Sequence, residues 1–262
     1  MFAFNTAEIL TGAAAFLRIS SIVALLPLFG ENSVPVRVRI MLSIALAAGV
    51  IPLLPPTYST SVSASLTSIE ALSLLMVKEM LIGITLGYVS KLAFDGIVMA
   101  AGMVGIQMGF NTASVFLPDG QETTNGFSAL HRLLIVLIFL ALNLHHIYIK
   151  SIWDSFRVIP VGMALPTGSL QILLLSITSG IFLTAIQLSA PILVGLLFST
   201  AALGLINRAV PQANVFVLSF PTNFFIGLFL YMALLPMLPG WIQAHFEMSQ
   251  RQIAAALTSI SR

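Results

Sequence analysis

From Ser169 to Ile206 the chain runs for 38 residues without a formal charge. About 20 helical residues cross the ~30 Å hydrocarbon core of a bilayer. The run is therefore too long for one crossing, and Pro191 inside it marks a place to bend. In such an apolar setting the backbone must satisfy its own polar groups, which leaves helices or a closed barrel. Transmembrane barrels alternate in polarity over short segments, whereas the apolar runs here are long and unbroken. The expected class is all-α.

Composition supports a membrane or protein-buried setting. Of 262 residues, 58% are hydrophobic and only 8% charged, against about 25% charged in an ordinary soluble domain. The net charge of +2 gives no footprint for nucleic acid. There is no cysteine, which excludes disulfides, iron–sulfur clusters and cysteine zinc sites. The first thirty residues lack a basic start and a small-residue cleavage site. The first apolar segment is thus expected to be retained and to act as its own membrane-targeting signal.

Along the chain, residues 7–29 and 38–54 are candidate spans, the first interrupted by Arg18 and Pro27, the second ending at Pro52 and Pro55-Pro56. Residues 57–68 form an uncharged small-polar linker. Residues 69–110 are expected to form two helices or one bent pair, interrupted by Lys78-Glu79 and Lys91…Asp95. Residues 127–149 form a clear helix, followed by a connector to Gly168 with Pro160 and Pro166. A turn at 207–213 separates the long uncharged run from a last apolar segment, 214–242, broken by Pro221, Pro236 and Pro239. The tail forms a short amphipathic helix. Arg37 and Arg39 mark a cytoplasmic loop, and Arg251 and Arg262 a cytoplasmic tail. Between these ends the charges do not settle an orientation.

Charges at membrane depth are paired or face a cavity. Arg18, Lys78 and Glu79 are candidate buried charges, with Arg132 and Arg208 beside apolar runs. Neighbours on a helix point ~100° apart, so Lys78 and Glu79 each need a partner elsewhere, on another helix or subunit. A structural pair is favoured over a proton or ion relay. His145-His146 splay apart and lack a third ligand at helical spacing, so no metal or cofactor is expected. Gly83-xxx-Gly87 and Gly105-xxx-Gly109 permit close helix packing. HExxH, GxSxG and Walker patterns are absent from the sequence, and an enzyme is not expected.

Between two apolar runs lies "GIQMGFNTASVFLPDGQET", residues 105–123. It combines glycines with Met and Phe and carries no Lys or Arg. Its residues alone favour a surface loop that packs its apolar side chains on a neighbouring helix.

The run "NRAVPQANVFVLSFP", residues 207–221, resembles the FliR family, the R subunit of the flagellar type III protein-export gate, related to injectisome subunits. "VPVRVRIMLSIALA" at 34–47 and "GIQMGFNTASVF" at 105–116 fit the same family, as do length and hydropathy. The resemblance covers nearly the whole chain. It implies a P-like part at 1–169 fused to a Q-like helical hairpin at 170–262 with an amphipathic tail. It implies broken, hydrophobic helical hairpins wound, in one copy, into a cone-shaped hetero-oligomer with P and Q subunits. The cone would meet the B and A export subunits and pass unfolded export substrates. It would belong to the flagellar basal body in the inner membrane and lie largely on the periplasmic side of the bilayer plane. Loop 106–122 would plug the closed pore through Gln107, Met108, Phe110, Val115, Phe116 and Leu117. Met fills irregular gaps, and hydrophobic constrictions gate by dewetting. Arg208, Pro211, Gln212, Asn214, Val215, Phe216 and Pro221 would fix the hairpin bend and its subunit contacts. The alternative is a polytopic secondary transporter or small-molecule channel, for which inverted repeats would speak; the unequal helices offer none.

Overall fold

The computed structural model describes residues 5–27, 34–64, 68–110, 126–162, 167–210 and 215–260. Among these residues every regular element is helical. The order is α1 (Thr6–Leu25), α2 (Val36–Val50), α3 (Thr57–Ala64), α4 (Ile69–Gln107), α5 (Gly126–Ala141), α6 (His145–Val158), α7 (Thr167–Ala209), α8 (Val215–Leu234) and α9 (Leu238–Ile260). One-turn 3-10 pieces follow α2 and α8, at Ile51–Leu53 and Leu235–Met237, each with a proline in its first turn. Four stretches are long and apolar enough to cross a membrane: Thr6–Leu25, Val36–Leu53, Ile177–Ala209 and Val217–Ala255. α5 and α6 together would make a fifth, broken span.

Several boundaries depart from the sequence expectation. Residues 69–107 form one helix of 39 residues rather than two or a bent pair. Its charges do not interrupt it, because Glu79 is taken up inside the fold. Ser68 starts this helix, its Oγ accepting the Ala71 N–H at 3.2 Å. The small-polar linker is helical over Thr57–Ala64. Tyr58 fastens it by donating its phenol proton to the Phe156 carbonyl at 2.8 Å. The helix expected over 127–149 ends at Ala141 and restarts at His145. Between them Asn143 takes a positive φ of 56°, a conformation asparagine tolerates better than most residues. Helix then continues to Val158 through half of the expected connector. The last apolar segment and the tail are α8 and α9, the second extending the helix well upstream of the charged tail.

The chain divides into two compact units. Unit 1 holds Met1–Ala93, Leu144–Thr178 and Phe246–Arg262. Its inner face on α1 is Ala14, Ala15, Arg18, Ile19, Ile22 and Val23, at the three- and four-residue spacing of one helix face. Gly83 and Gly87 of α4 lie against that face. A Cβ on Gly83 would collide with the Arg18 carbonyl oxygen, and one on Gly87 would stand 2.8 Å from Leu25 Cβ. Only the bare backbone allows this approach.

Unit 2 holds Phe94–Asn143 and Ser179–His245. Phe127, His131, Ile135 and Phe139 recur every four residues on α5 and are buried, while Leu130, Leu133 and Leu137 are exposed. Here the later part of α7 packs antiparallel to α8. Gly195 lies under Leu230, and one turn along Ser199 donates to Asn223 Oδ1 at 2.7 Å. The outer faces of these two helices carry Phe198 at 69% and Phe229 at 68% exposure. Large apolar side chains exposed in rows mark lipid or partner contact.

Candidate functional site

The helix leading into the Met/Phe loop ends in a defined way. Phe110 N–H bonds to the Gly105 carbonyl and Gly109 N–H to the Ile106 carbonyl, both at 3.0 Å. This is a Schellman stop, and Gly109 supplies its left-handed residue at φ 89°. The stop fixes where the chain leaves α4. Met108, at the helix end, is fully buried. Its thioether lies where Gly227 of α8 has no side chain: a Cβ there would stand 2.5 Å from Met108 Cγ and 2.9 Å from Sδ. Gln107 and Phe110 are half-buried.

Phe110 stacks on Phe127 at a centroid distance of 5.7 Å and tilts against Phe224 at 5.5 Å. Phe127 stands edge-on to Tyr231 at 5.0 Å. Tyr231 Oη lies 2.7 Å from Nδ1 of the buried His131. Phe110 stands just past the end of α4 and Phe127 at the start of α5, so one ring pair joins the two helix ends that flank residues 111–125, and α8 backs it. Such pairs each add about 0.5–1.5 kcal/mol beyond area burial. Val115, Phe116 and Leu117 lie outside the described residues.

The second candidate feature is in unit 1. Arg18 is fully buried, and Glu79 is 1% exposed. Arg18 Nε and Nη2 both lie 2.6 Å from Glu79 Oε2. Nη1 donates to the Ser155 and Ile159 carbonyls at 3.1 and 2.8 Å. The other Glu79 oxygen, Oε1, accepts the Gly162 N–H at 3.1 Å. Gly162 has a φ of 93°, which turns that amide at little steric cost. The guanidinium also lies 4.5 Å from the Phe156 ring centre. The pair thus caps the last turn of α6 and ties it to α1 and α4. Lys78, one position back, is only half-buried. The sequence signal for this site was the presence of charge in apolar runs; nothing in it named which charges meet.

Of the hairpin residues, Arg208 is exposed in the last turn of α7, where a cation complements the helix dipole. Val215 and Phe216 open α8, and Pro221 lies inside it, exposed. Pro211, Gln212 and Asn214 lie outside the described residues. Among the described residues, no group of three or more His, Asp and Glu side chains is gathered as for a metal. The His131–Tyr231 contact was missed from sequence, since the two residues stand 100 positions apart. A lone histidine in the apolar run of α5 was the available hint.

Residues 9–249 match the family model described as "Bacterial export proteins, family 1". The chain belongs to this family. Its relatives include the flagellar biosynthetic protein FliR of Pectobacterium carotovorum subsp. carotovorum, 32% identical over 247 residues, or 94% of this chain and 92% of that protein. FliR of Escherichia coli K12 is 32% identical, covering 88% of this chain and 86% of that protein. FliR of Bacillus subtilis 168 is 30% identical, covering 79% and 78%. The match spans both compact units, so the loop stem and the buried pair both fall inside the FliR-type export protein rather than on an added domain.

Proposed function

We propose that this chain is the single R-type subunit of a flagellar export gate in the bacterial inner membrane. In this reading residues 1–169 are P-like and 170–262 are a Q-like hairpin, wound with P and Q subunits into a cone. The assembled cone lies largely on the periplasmic side of the bilayer plane and meets the B and A export subunits. It passes unfolded flagellar proteins, and loop 106–122 closes it at rest. Family membership supports the export role. The exposed rows of Phe and Leu on α7 and α8 supply surface for partners and lipid. Arg208, Pro211, Gln212, Asn214, Val215, Phe216 and Pro221 fix the hairpin bend and contact neighbouring subunits.

The observation that carries the plug is the stem. A plug must withstand load without being pulled from its mount, and the Phe110–Phe127 pair clamps both ends of the loop against α8. Gln107, Met108 and Phe110 form its base; Val115, Phe116 and Leu117 form its body. A dewetted apolar constriction holds back ions yet deforms for a passing chain. The test is deletion of 111–117, which spares the Phe110 stem, in the chain co-expressed with its P and Q partners. The complex should purify at the wild-type mass with one copy of this chain and conduct ions in planar bilayers. Unchanged conductance in a correctly assembled complex refutes the plug. A chain that does not associate with those partners when co-expressed with them refutes the gate.

A further inference from the structure

A cavity of about 130 Å³ lies within unit 2, beside the His131–Tyr231 contact. Its wall is apolar, with Ala101, Val104, Ile192, Leu234 and Trp241. Ala100 and Ala101 of α4 are buried and small, and they leave the space open. A dry apolar cavity of about 150 Å³ takes up benzene, so this one suits a single ring or a short alkyl chain.

Its polar edge narrows the chemistry. His131 lines the cavity and is 3% exposed. Its Nε2 is buried and has no hydrogen-bond partner among the described residues. A buried nitrogen left unpaired is costly, so a ligand that pairs it gains. With Nδ1 facing Tyr231 Oη, two tautomers are open. In one, Nε2 is an acceptor; in the other, it carries the proton and donates. A hydroxyl group satisfies either. On α7, Pro191 has no N–H to offer the Gln187 carbonyl one turn back, and both residues line the cavity. No charged side chain lines it, which excludes ions. We propose that this cavity is a binding site for a small neutral hydroxyl-bearing apolar molecule, of the phenol or short-alcohol class. The hydroxyl pairs with His131 Nε2, and the apolar body lies among Phe127, Tyr231 and Trp241.

The chain has two tryptophans, Trp153 and Trp241, and the second lines the cavity. In the full-length Trp153→Phe variant, held in phosphatidylcholine nanodiscs, Trp241 alone emits. Titration with 4-iodophenol, a heavy-atom quencher, should quench that emission saturably, and phenol should reverse it. Iodobenzene should bind about fivefold more weakly, the worth of one neutral hydrogen bond, as should 4-iodophenol to His131→Phe. Ala101→Leu, which fills the space, should abolish the saturable component; Ala100→Leu replaces it if Ala101→Leu does not fold. Quenching that rises linearly and survives both filling variants means partition into lipid alone and overturns the site. Equal binding of 4-iodophenol and iodobenzene overturns the role given to His131.

Discussion

Among the described residues, the largest fully buried side chain of unit 1 is a charged one, Arg18; in unit 2 the comparable places go to Phe94, Phe139 and Ile97. The two units are fastened by different physics. The Arg18–Glu79 pair works by direction: one guanidinium and one carboxylate reach three elements through six short contacts. The unit 2 stem works by shape, with rings against rings and a thioether against a bare glycine. Directional fastening in a dry interior leaves an uncompensated charge when one partner goes. Shape fastening loses contacts by degrees and tolerates volume-conserving change.

The largest expected effect tests the directional half. Glu79→Ala should destabilise the chain by about 3–5 kcal/mol, the cost of a buried unpaired partner. The readout is thermal unfolding of the purified complex. The double change Arg18→Met with Glu79→Leu should recover most of that loss, because it removes the stranded charge together with its partner. If the double variant is as weak as the single one, charge pairing is not what distinguishes unit 1.

A smaller effect tests the shape half. Gly227→Val places carbon where Met108 now lies and should cost about 1–3 kcal/mol by overpacking. Adding Met108→Ala should return part of it, giving a coupling of at least about 0.5 kcal/mol in a double-mutant cycle. Strict additivity would mean that the thioether does not seat on that glycine. The smallest effect on folding belongs to Arg208→Ala. Arg208 is exposed, so stability should stay within about 0.5 kcal/mol, while the yield of complex with P and Q subunits falls if the hairpin end is a partner contact. Unchanged yield removes Arg208 from the interface.

The helical class and the long apolar elements were legible from periodicity and hydropathy, because backbone satisfaction in an apolar setting leaves few options. The charges inside α4 were misleading as break points: Glu79 is an inward-facing anchor, and a helix carries such a residue without interruption. The break at Asn143 was illegible because a single positive φ leaves no periodic trace. Arg18 was visible as an anomaly, yet its carbonyl partners are backbone groups, which any sequence could present. The loop was visible as a composition shift, but the Phe224 and Gly227 that hold its stem come from a helix a hundred residues downstream.

The Arg18 contacts also set a timetable. Its carboxylate lies 61 residues downstream, and its last carbonyl lies 141 residues downstream. A ribosome adding about 5–20 residues per second delivers Glu79 roughly 3–12 s after Arg18, and Ile159 roughly 7–28 s after. For that interval the first helix holds a cation it cannot hide. It must wait at the membrane surface, in the insertion machinery or against another chain until α4 and the end of α6 emerge. The Arg18 site can therefore close only after the end of α6 has been made.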